Sequence, residues 1–177
     1  MTKNESYVRF VRTEGTLSES LKEADQLARL LAEVLERPDI QDLIAAAHHV
    51  GASSHAIQET LRADMEALGF RSERKGLFSN FRVAGLRPDY FKELDEGGIL
   101  FEVERGKTIA NNMDLLDVWK THICKEANHL FLLVPRIRET EKGVEQKILN
   151  TVTNRVGTFF QEGVQAIDVE SVHIFGY

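Results

Sequence analysis

The chain has 177 residues, of which 42% are hydrophobic and 28% charged, and its formal net charge is −6 at pH 7. These values are ordinary for a soluble globular domain, and the acidic balance argues weakly against a nucleic-acid binder. No apolar run approaches the roughly 20 residues that span a bilayer. The N-terminal residues lack a signal-peptide stretch, and the single cysteine, Cys124, excludes an intramolecular disulfide. We therefore expect a cytoplasmic protein that has no membrane partner.

The first third of the chain is predicted to be helical. Apolar residues recur at helical spacing over about 17–35 and again over 57–68, and a shorter helix is predicted over about 40–49. Ser53 or Ser54 is the expected N-cap of the third helix, and Gly69 is its expected end. These helices carry most of the chain's acidic excess.

The rest of the chain alternates between strand and helix patterns. Strands are predicted over about 71–78, 81–90, 99–104 and 169–175, with helices over about 109–127 and 141–161. The apolar run HLFLLVP at 129–135 is typical of a strand that is covered on both faces. The buried side of the 109–127 helix is predicted to use Met113, Leu116, Trp119 and Ile123. This order predicts an α/β fold with a mixed central sheet flanked by helices.

An acidic cluster is predicted in the stretch RPDYFKELDEGGILFEVERGK, residues 87–107. Its two adjacent glycines favour a hairpin turn between two runs of strand formers. If the loop is 96–97 or 95–98, Asp89 lies opposite Glu104. Paired residues share a face of the sheet, and so do residues two apart, so Glu102 joins them. A loop of three or five residues would move Asp89 to the other face.

Three carboxylates within about 5–7 Å repel one another unless a positive charge lies between them. A hard divalent cation such as Mg²⁺ meets this need, because it binds one or two carboxylates together with a substrate phosphate. The alternative is that Glu102 and Glu104 simply face solvent on an amphipathic strand. The presence of Asp89 in register favours the metal site.

The residues RPDYF and ILFEVERGK, followed by a helix and HLFLLVP, resemble the PD-(D/E)-x-K nuclease superfamily, the restriction-endonuclease-like fold. The core of that family is a helix, a three-strand antiparallel meander, a helix and a further strand. The resemblance covers about residues 54–135 and implies that Asp89 and Glu102 are the two motif acids. The motif lysine should stand at position 104, where this chain has Glu104; some restriction endonucleases of this fold carry such an E-x-E version.

The resemblance leaves open which residue supplies the positive charge of the missing lysine. Lys107 lies just past the strand, and Lys120 lies on the following helix. Neighbouring residues project about 100° apart on a helix, so an inward Trp119 makes Lys107 the expected nearer residue. The family also often has a glutamate in the helix before the meander, and Glu59 has suitable spacing.

The resemblance implies a hydrolase: a metal-dependent endonuclease that cleaves DNA, of the restriction or repair kind, using Mg²⁺ or Mn²⁺. The predicted metal ligands are Asp89, Glu102 and Glu104, and Lys107 would stabilise the developing phosphate charge. Residues 71–92 contain six basic and two acidic side chains, which we expect to contact DNA phosphates.

Two alternatives stay open. The first is an inactive nuclease-like fold that serves as a DNA-binding or assembly module, and the second is an enzyme acting on a small phosphorylated substrate. We expect a single domain, with residues 1–50 as an N-terminal helical extension of a nuclease-like core at 54–177. The acidic helices of this extension would cover a partner or form a homodimer.

Overall fold

The computed structural model describes residues 6–12, 18–48, 54–72, 76–81, 86–105, 108–139 and 143–177. None of the helices within these ranges has both the length and the apolar character needed to cross a membrane. All statements below refer to these ranges.

A six-stranded mixed sheet forms the centre of the molecule. Its strands are β1 (Tyr7–Val11), β2 (Arg71–Ser72), β3 (Tyr90–Glu93), β4 (Gly98–Val103), β5 (His129–Val134) and β8 (Ser171–Gly176), and a separate hairpin is formed by β6 (Arg138–Glu139) and β7 (Glu145–Gln146). The strand order is β1-β8-β5-β4-β3-β2. The central strands β4, β5 and β8 are parallel, whereas β1, β2 and β3 pair antiparallel with their neighbours. The predicted α/β class with a mixed sheet is confirmed.

Helices cover both faces of this sheet. They are α1 (Glu19–Glu36), α2 (Pro38–Ala47), α3 (Ser54–Ala67), α4 (Met113–Ile123) and α5 (Ile148–Gly157), with a short 3₁₀ turn at Thr158–Phe160. The first three pack with Ile99, Phe101 and Val103 on one face. The last two pack with Leu100 and its neighbours on the other face. The β5 run is buried on both faces, which explains its continuous apolar sequence.

Local signals account for several helix ends. Ser18 is the N-cap of α1, and its side chain accepts a hydrogen bond from the Leu21 N–H at 3.0 Å. The Arg37–Pro38 step separates α1 from α2, and proline suits the first position of a helix. Gly69 follows α3 with φ +83°, as predicted for a residue that ends a helix in the left-handed region.

The first two strands of the predicted meander are shorter than expected. The strand predicted over 71–78 ends at Ser72, and a turn follows over 76–80, where Gly76 has φ +94°. The strand predicted over 81–90 begins only at Tyr90. Pro88 lies just before it and has no N–H to donate to a strand ladder.

Two elements were not predicted. Strand β1 pairs with the last strand, β8, so the N-terminal region contributes to the sheet as well as to the helical layer. The β6–β7 hairpin occupies part of the helix predicted over 141–161, which begins at Ile148 instead. Short strands of two to five residues carry too little periodic pattern to be distinguished from loops.

Candidate active site

The β3–β4 hairpin brings Asp89 and Glu102 together. The ladder pairs Tyr90 with Phe101 and ends at Glu93 and Gly98, and the Leu94 N–H donates to the Gly97 carbonyl at 3.1 Å. The turn therefore centres on Asp95 and Glu96, one residue earlier than predicted. Asp89 consequently faces Glu102 rather than Glu104. The loop still has an even number of residues, so the predicted face is retained.

Backbone hydrogen bonds fix both motif acids. The Asp89 N–H donates to Glu102 Oε2 at 3.4 Å, and the Val103 N–H donates to Asp89 Oδ2 at 2.8 Å. Each carboxylate thus binds the backbone at or beside the other residue. Glu102 is almost fully buried, and its neighbours on this face of the sheet, Leu100 and Leu132, are apolar.

Glu104 follows directly after β4. Its N–H donates to the Leu133 carbonyl at 2.8 Å, so the backbone still lies against β5. Thr108 Oγ1 donates to Glu104 Oε2 at 3.3 Å, and Tyr177 Oη donates to the Glu104 carbonyl at 3.2 Å. Burial, followed by the carboxylates of Asp117 and Asp89, raises the pKa of Glu104 to about 8.

Helix α4 contributes a lysine to this group. Lys120 Nζ lies 2.8 Å from Glu102 Oε1 and 3.1 Å from Asp117 Oδ1. Burial alone would lower the pKa of Lys120, but the carboxylates of Glu102 and Asp117 outweigh this effect and raise it. The ammonium group therefore stays charged. We call Asp89, Glu102, Glu104, Asp117 and Lys120 the acidic cluster.

Burial raises the pKa of two further acidic side chains of the cluster, Glu102 and Asp117. Burial, followed by the charge of Asp117, raises the pKa of Glu102 well above its ordinary value. Burial also raises the pKa of Asp117 to about 6, against the opposing effect of Lys120. Asp117 Oδ1 lies 3.1 Å from Lys120 Nζ, whereas Oδ2 accepts no hydrogen bond from the described residues. Burial and mutual repulsion therefore favour the protonated forms of Glu102 and Asp117.

The buried face of α4 differs in part from the predicted one: Met113 and Ile123 are half-buried, whereas Leu116 and Trp119 are exposed. Trp119 is 43% exposed and Leu116 is 38% exposed, whereas Lys120 is only 7% exposed. Ion pairs to two other elements account for this: Lys120 binds Glu102 of β4, and Asp114 binds Arg155 of α5 at 3.2 Å. The expectation of an inward Trp119 was wrong. The buried face carries a polar stripe at helical spacing (Asp114, Asp117, Thr121), which in a sequence ordinarily predicts an exposed face, so no sequence signal pointed to its burial.

The other two predicted site residues have different outcomes. Lys107 lies outside the described residues, so its distance from the carboxylates stays a prediction. Glu59 lies on the exposed side of α3, where it pairs with Arg62 and is approached by His55 at 3.6 Å. The structure therefore places Glu59 in a surface ion pair, and its predicted catalytic role has no support from the contacts described.

The oxygen atoms of the acidic cluster are suitable ligands for a hard cation, but the side chains are not arranged around a common point. Carboxylate oxygens are the ligands that Mg²⁺ prefers, and the buried Asp117 Oδ2 accepts no hydrogen bond from the described residues. However, within the described parts of the chain, no group of three or more His, Cys, Asp or Glu side chains is placed to hold a metal ion. The ammonium group of Lys120 lies between Glu102 and Asp117 instead.

A second buried polar group lies on the opposite face of the sheet, toward the start of the parallel strands. His129 Nδ1 and His173 Nε2 both hydrogen-bond to Ser171 Oγ, at 2.7 and 3.0 Å. Tyr7 Oη lies 2.7 Å from His173 Nδ1, and Ser20 Oγ lies 3.2 Å from His129 Nε2. We call these five residues the histidine cluster. Burial lowers the pKa of His129 to about 4 and that of His173 to about 3, so both rings are neutral at pH 7.

Comparison with known proteins gives no further assignment. No family model matches the chain, and neither a curated protein nor a solved structure shows significant similarity to it. The acidic cluster must therefore be interpreted from its own geometry and chemistry.

Proposed function

We propose that this protein is a Mg²⁺-dependent nuclease that hydrolyses phosphodiester bonds in DNA. One observation carries the proposal: Asp89, which directly precedes β3, faces Glu102 of β4, and Lys120 Nζ lies 2.8 Å from Glu102. Two acids and a lysine are the elements of the motif that the sequence resembles. The element order α3, β2, β3, β4, α4, β5 is also the order that this resemblance implies.

In this proposal Lys120, rather than Lys107, takes the role of the missing motif lysine. Its side chain reaches Glu102 from a helix, whereas the motif places the lysine on the strand at position 104. A buried ammonium group next to the scissile phosphate would stabilise the negative charge that develops during hydrolysis. Glu104 is left to orient the attacking water or to bind a second ion.

Asp89 and Glu102 are the residues that would hold the divalent cation, with Glu104 as a third candidate. When bound, Mg²⁺ would polarise the scissile phosphate and lower the pKa of the attacking water. The protein's own contribution is a buried acidic cluster, fixed by backbone hydrogen bonds, in which these groups are positioned before substrate arrives.

The DNA contacts proposed for residues 71–92 are only partly described. Arg74, Lys75 and Arg82 lie outside the described residues, and Arg71 forms an exposed ion pair with Glu93 at 3.5 Å. Basic side chains of this kind set affinity and register on DNA but not sequence preference. A homodimer also stays a prediction.

The test is a cleavage assay on supercoiled plasmid, linear duplex and single-stranded DNA with Mg²⁺, Mn²⁺ or EDTA. We expect cleavage with either cation and none with EDTA. The same three substrates should be offered as RNA to establish which nucleic acid is preferred. Wild-type protein that cleaves none of them with either cation would refute the nuclease proposal.

A second candidate is an inactive nuclease-like module that binds DNA or assembles with a partner. The observation favouring it is the Lys120–Glu102 contact, which occupies a carboxylate that a metal would need. This alternative predicts DNA binding in gel-shift assays that is unaffected by EDTA, with no cleavage.

A further inference from the structure

A cavity of about 340 Å³ opens at the edge of the sheet where the parallel strands end. Arg136 follows the end of β5, Gly176 and Tyr177 lie at the end of β8, and Tyr7 begins the antiparallel strand β1. In open α/β sheets, ligands bind in the crevice outside the carboxyl ends of the strands. Small-molecule sites occupy roughly 300–1,000 Å³. The cavity therefore has the position and the size of a ligand site.

The walls of this cavity are mainly apolar. The hydroxyl group of Tyr7 hydrogen-bonds to His173, and that of Tyr177 donates to the Glu104 carbonyl, so a ligand would contact mainly the two rings. The other apolar walls come from α1, α2 and the sheet: Ala32, Leu35, Ile44, Ala45 and Phe175. The interior is therefore suited to an apolar chain or ring.

Arg136 is exposed and lines the cavity, which places its positive charge at the mouth. Its N–H donates to the Tyr177 carbonyl at 2.7 Å, and its side chain crosses Gly176, where a Cβ would come within 2.7 Å of Arg136 Cγ. Within the described residues its guanidinium group forms no ion pair. Guanidinium groups bind carboxylates through two parallel N–H donors. Arg136 is thus held in place by its backbone and stem while its charged end is available to a ligand.

Glu36 limits the charge of the ligand. It lines the same cavity and is exposed, and among the described residues it has no ion pair with Arg136 or with another cation. Its carboxylate repels a second negative charge at the mouth, and the net charge of −6 acts in the same direction. A carboxylate, with one negative charge, therefore fits this mouth better than a phosphate ester.

We propose that this cavity binds a small amphipathic carboxylate. Its apolar chain or ring would occupy the cavity, and its carboxylate would pair with Arg136 at the mouth. The proposal uses none of the residues of the acidic cluster, so it does not rest on the proposed nuclease function.

Calorimetric titration with three probes of equal chain length tests the ligand class. Decanoate should bind with one-to-one stoichiometry and a Kd of roughly 100 µM. Decanol has no charge to pair with Arg136, and decyl phosphate carries up to two negative charges that face Glu36. Each of them should bind at least about 10-fold more weakly than decanoate, because a charge-assisted hydrogen bond is lost or opposed.

The role of Arg136 is tested by Arg136→Gln. This variant should weaken decanoate binding about 10-fold and leave decanol binding within about 2-fold of wild type. Lys125→Gln is the matched control, because it removes the same charge from an exposed position before β5 begins, at the opposite edge of the sheet. It should change neither affinity.

The position of the apolar part is tested by Ala45→Trp. Ala45 is exposed on α2 and lines the cavity, so an indole there should fill the space and abolish binding of both decanoate and decanol. Ala46→Trp is the matched control, because Ala46 is the next exposed residue of α2 and lies outside the lining. Both probes should bind to it as they do to wild type.

Three results would overturn the proposal. The first is a decanoate Kd above about 1 mM in wild type, or one that neither Arg136→Gln nor Ala45→Trp changes. The second is tighter binding of decyl phosphate than of decanoate, which would assign the cavity to phosphate esters. The third is tighter binding of a short peptide that ends in leucine, which would make the cavity a site for the carboxyl end of a protein chain.

Discussion

The acidic cluster and the histidine cluster are both buried, polar and attached to the same sheet, yet their hydrogen bonding differs. In the histidine cluster every ring nitrogen of His129 and His173 has a hydroxyl partner. In the acidic cluster Asp117 Oδ1 has only the ion pair with Lys120 among the described residues, and Oδ2 accepts no hydrogen bond from them. Burial also acts differently in the two clusters. It lowers the pKa of both histidines, so their rings are neutral, whereas the carboxylates of Glu102 and Asp117 raise the pKa of Lys120 and keep its ammonium group charged.

This difference teaches how to separate structural from functional polar groups. A buried polar network that is fully hydrogen-bonded specifies the packing of its elements, and here it joins β1, β5, β8 and α1. A buried polar group without hydrogen bonds lowers the stability of the fold. Such groups, like groups with strongly shifted pKa values, are often found at functional sites. We therefore interpret the histidine cluster as structural and the acidic cluster as functional.

The largest expected effect is the loss of activity in Asp89→Asn. The substitution removes one charge from the acidic cluster while the amide can still accept the Val103 N–H. Cleavage with Mg²⁺ should fall at least about 10²-fold, measured as the initial rate of plasmid nicking.

Glu93→Gln is the control for this variant, because Glu93 lies on the same hairpin outside the acidic cluster and forms an exposed ion pair with Arg71. Its rate should equal that of wild type. If Asp89→Asn retains the wild-type rate, the acidic cluster does not take part in cleavage, and the interpretation of the acidic cluster as the functional one is wrong.

The second effect concerns pH and belongs to the histidine cluster. Burial lowers the pKa of His129 to about 4 and that of His173 to about 3 in the folded protein, whereas an unfolded histidine has a pKa of about 6.5. Below pH 6.5 the unfolded chain therefore binds more protons than the folded protein. Stability is thus fully present above pH 6.5 and is lost as the pH falls toward 4. Between pH 7 and 5 we expect a loss of about 2 kcal/mol for each histidine in the free energy of unfolding.

Urea unfolding at pH 7 and pH 5 measures this loss. In His173→Gln the loss should be smaller by about 2 kcal/mol, because one titrating ring is gone. His55→Gln is the matched control, since His55 is exposed on α3 and lies outside the histidine cluster. An unchanged pH dependence in His173→Gln would mean that His173 is not held neutral by the fold.

The smallest expected effect is on the stability of Asp117→Asn. The variant removes one of the two carboxylates beside Lys120, while Glu102 still pairs with Lys120. The free energy of unfolding at pH 7 should change by less than about 1 kcal/mol, as measured by urea unfolding. A loss above about 3 kcal/mol would mark the Asp117–Lys120 pair as a structural salt bridge and remove the distinction between the two clusters.

The sequence alone determined the fold class and the shared face of Asp89 and Glu102. Both depend on short-range rules: strand residues alternate between faces, and a hairpin loop with an even number of residues preserves that alternation even when the turn moves by one position. The apolar run of β5 likewise encoded a strand buried on both faces. These features needed no knowledge of distant contacts.

Only the tertiary structure decided that Lys120 joins the carboxylates and which face of α4 is buried. The sequence offered two stripes on this helix, one with Leu116 and Trp119 and one with Asp114, Asp117 and Lys120, and hydrophobicity favoured the first. The second is buried because Glu102 and Arg155, which are distant in sequence, supply opposite charges on both sides of the helix. Long-range ion pairs of this kind have no local periodicity, so the roll of α4, and with it Asp117 and Lys120, became visible only once the chain was folded.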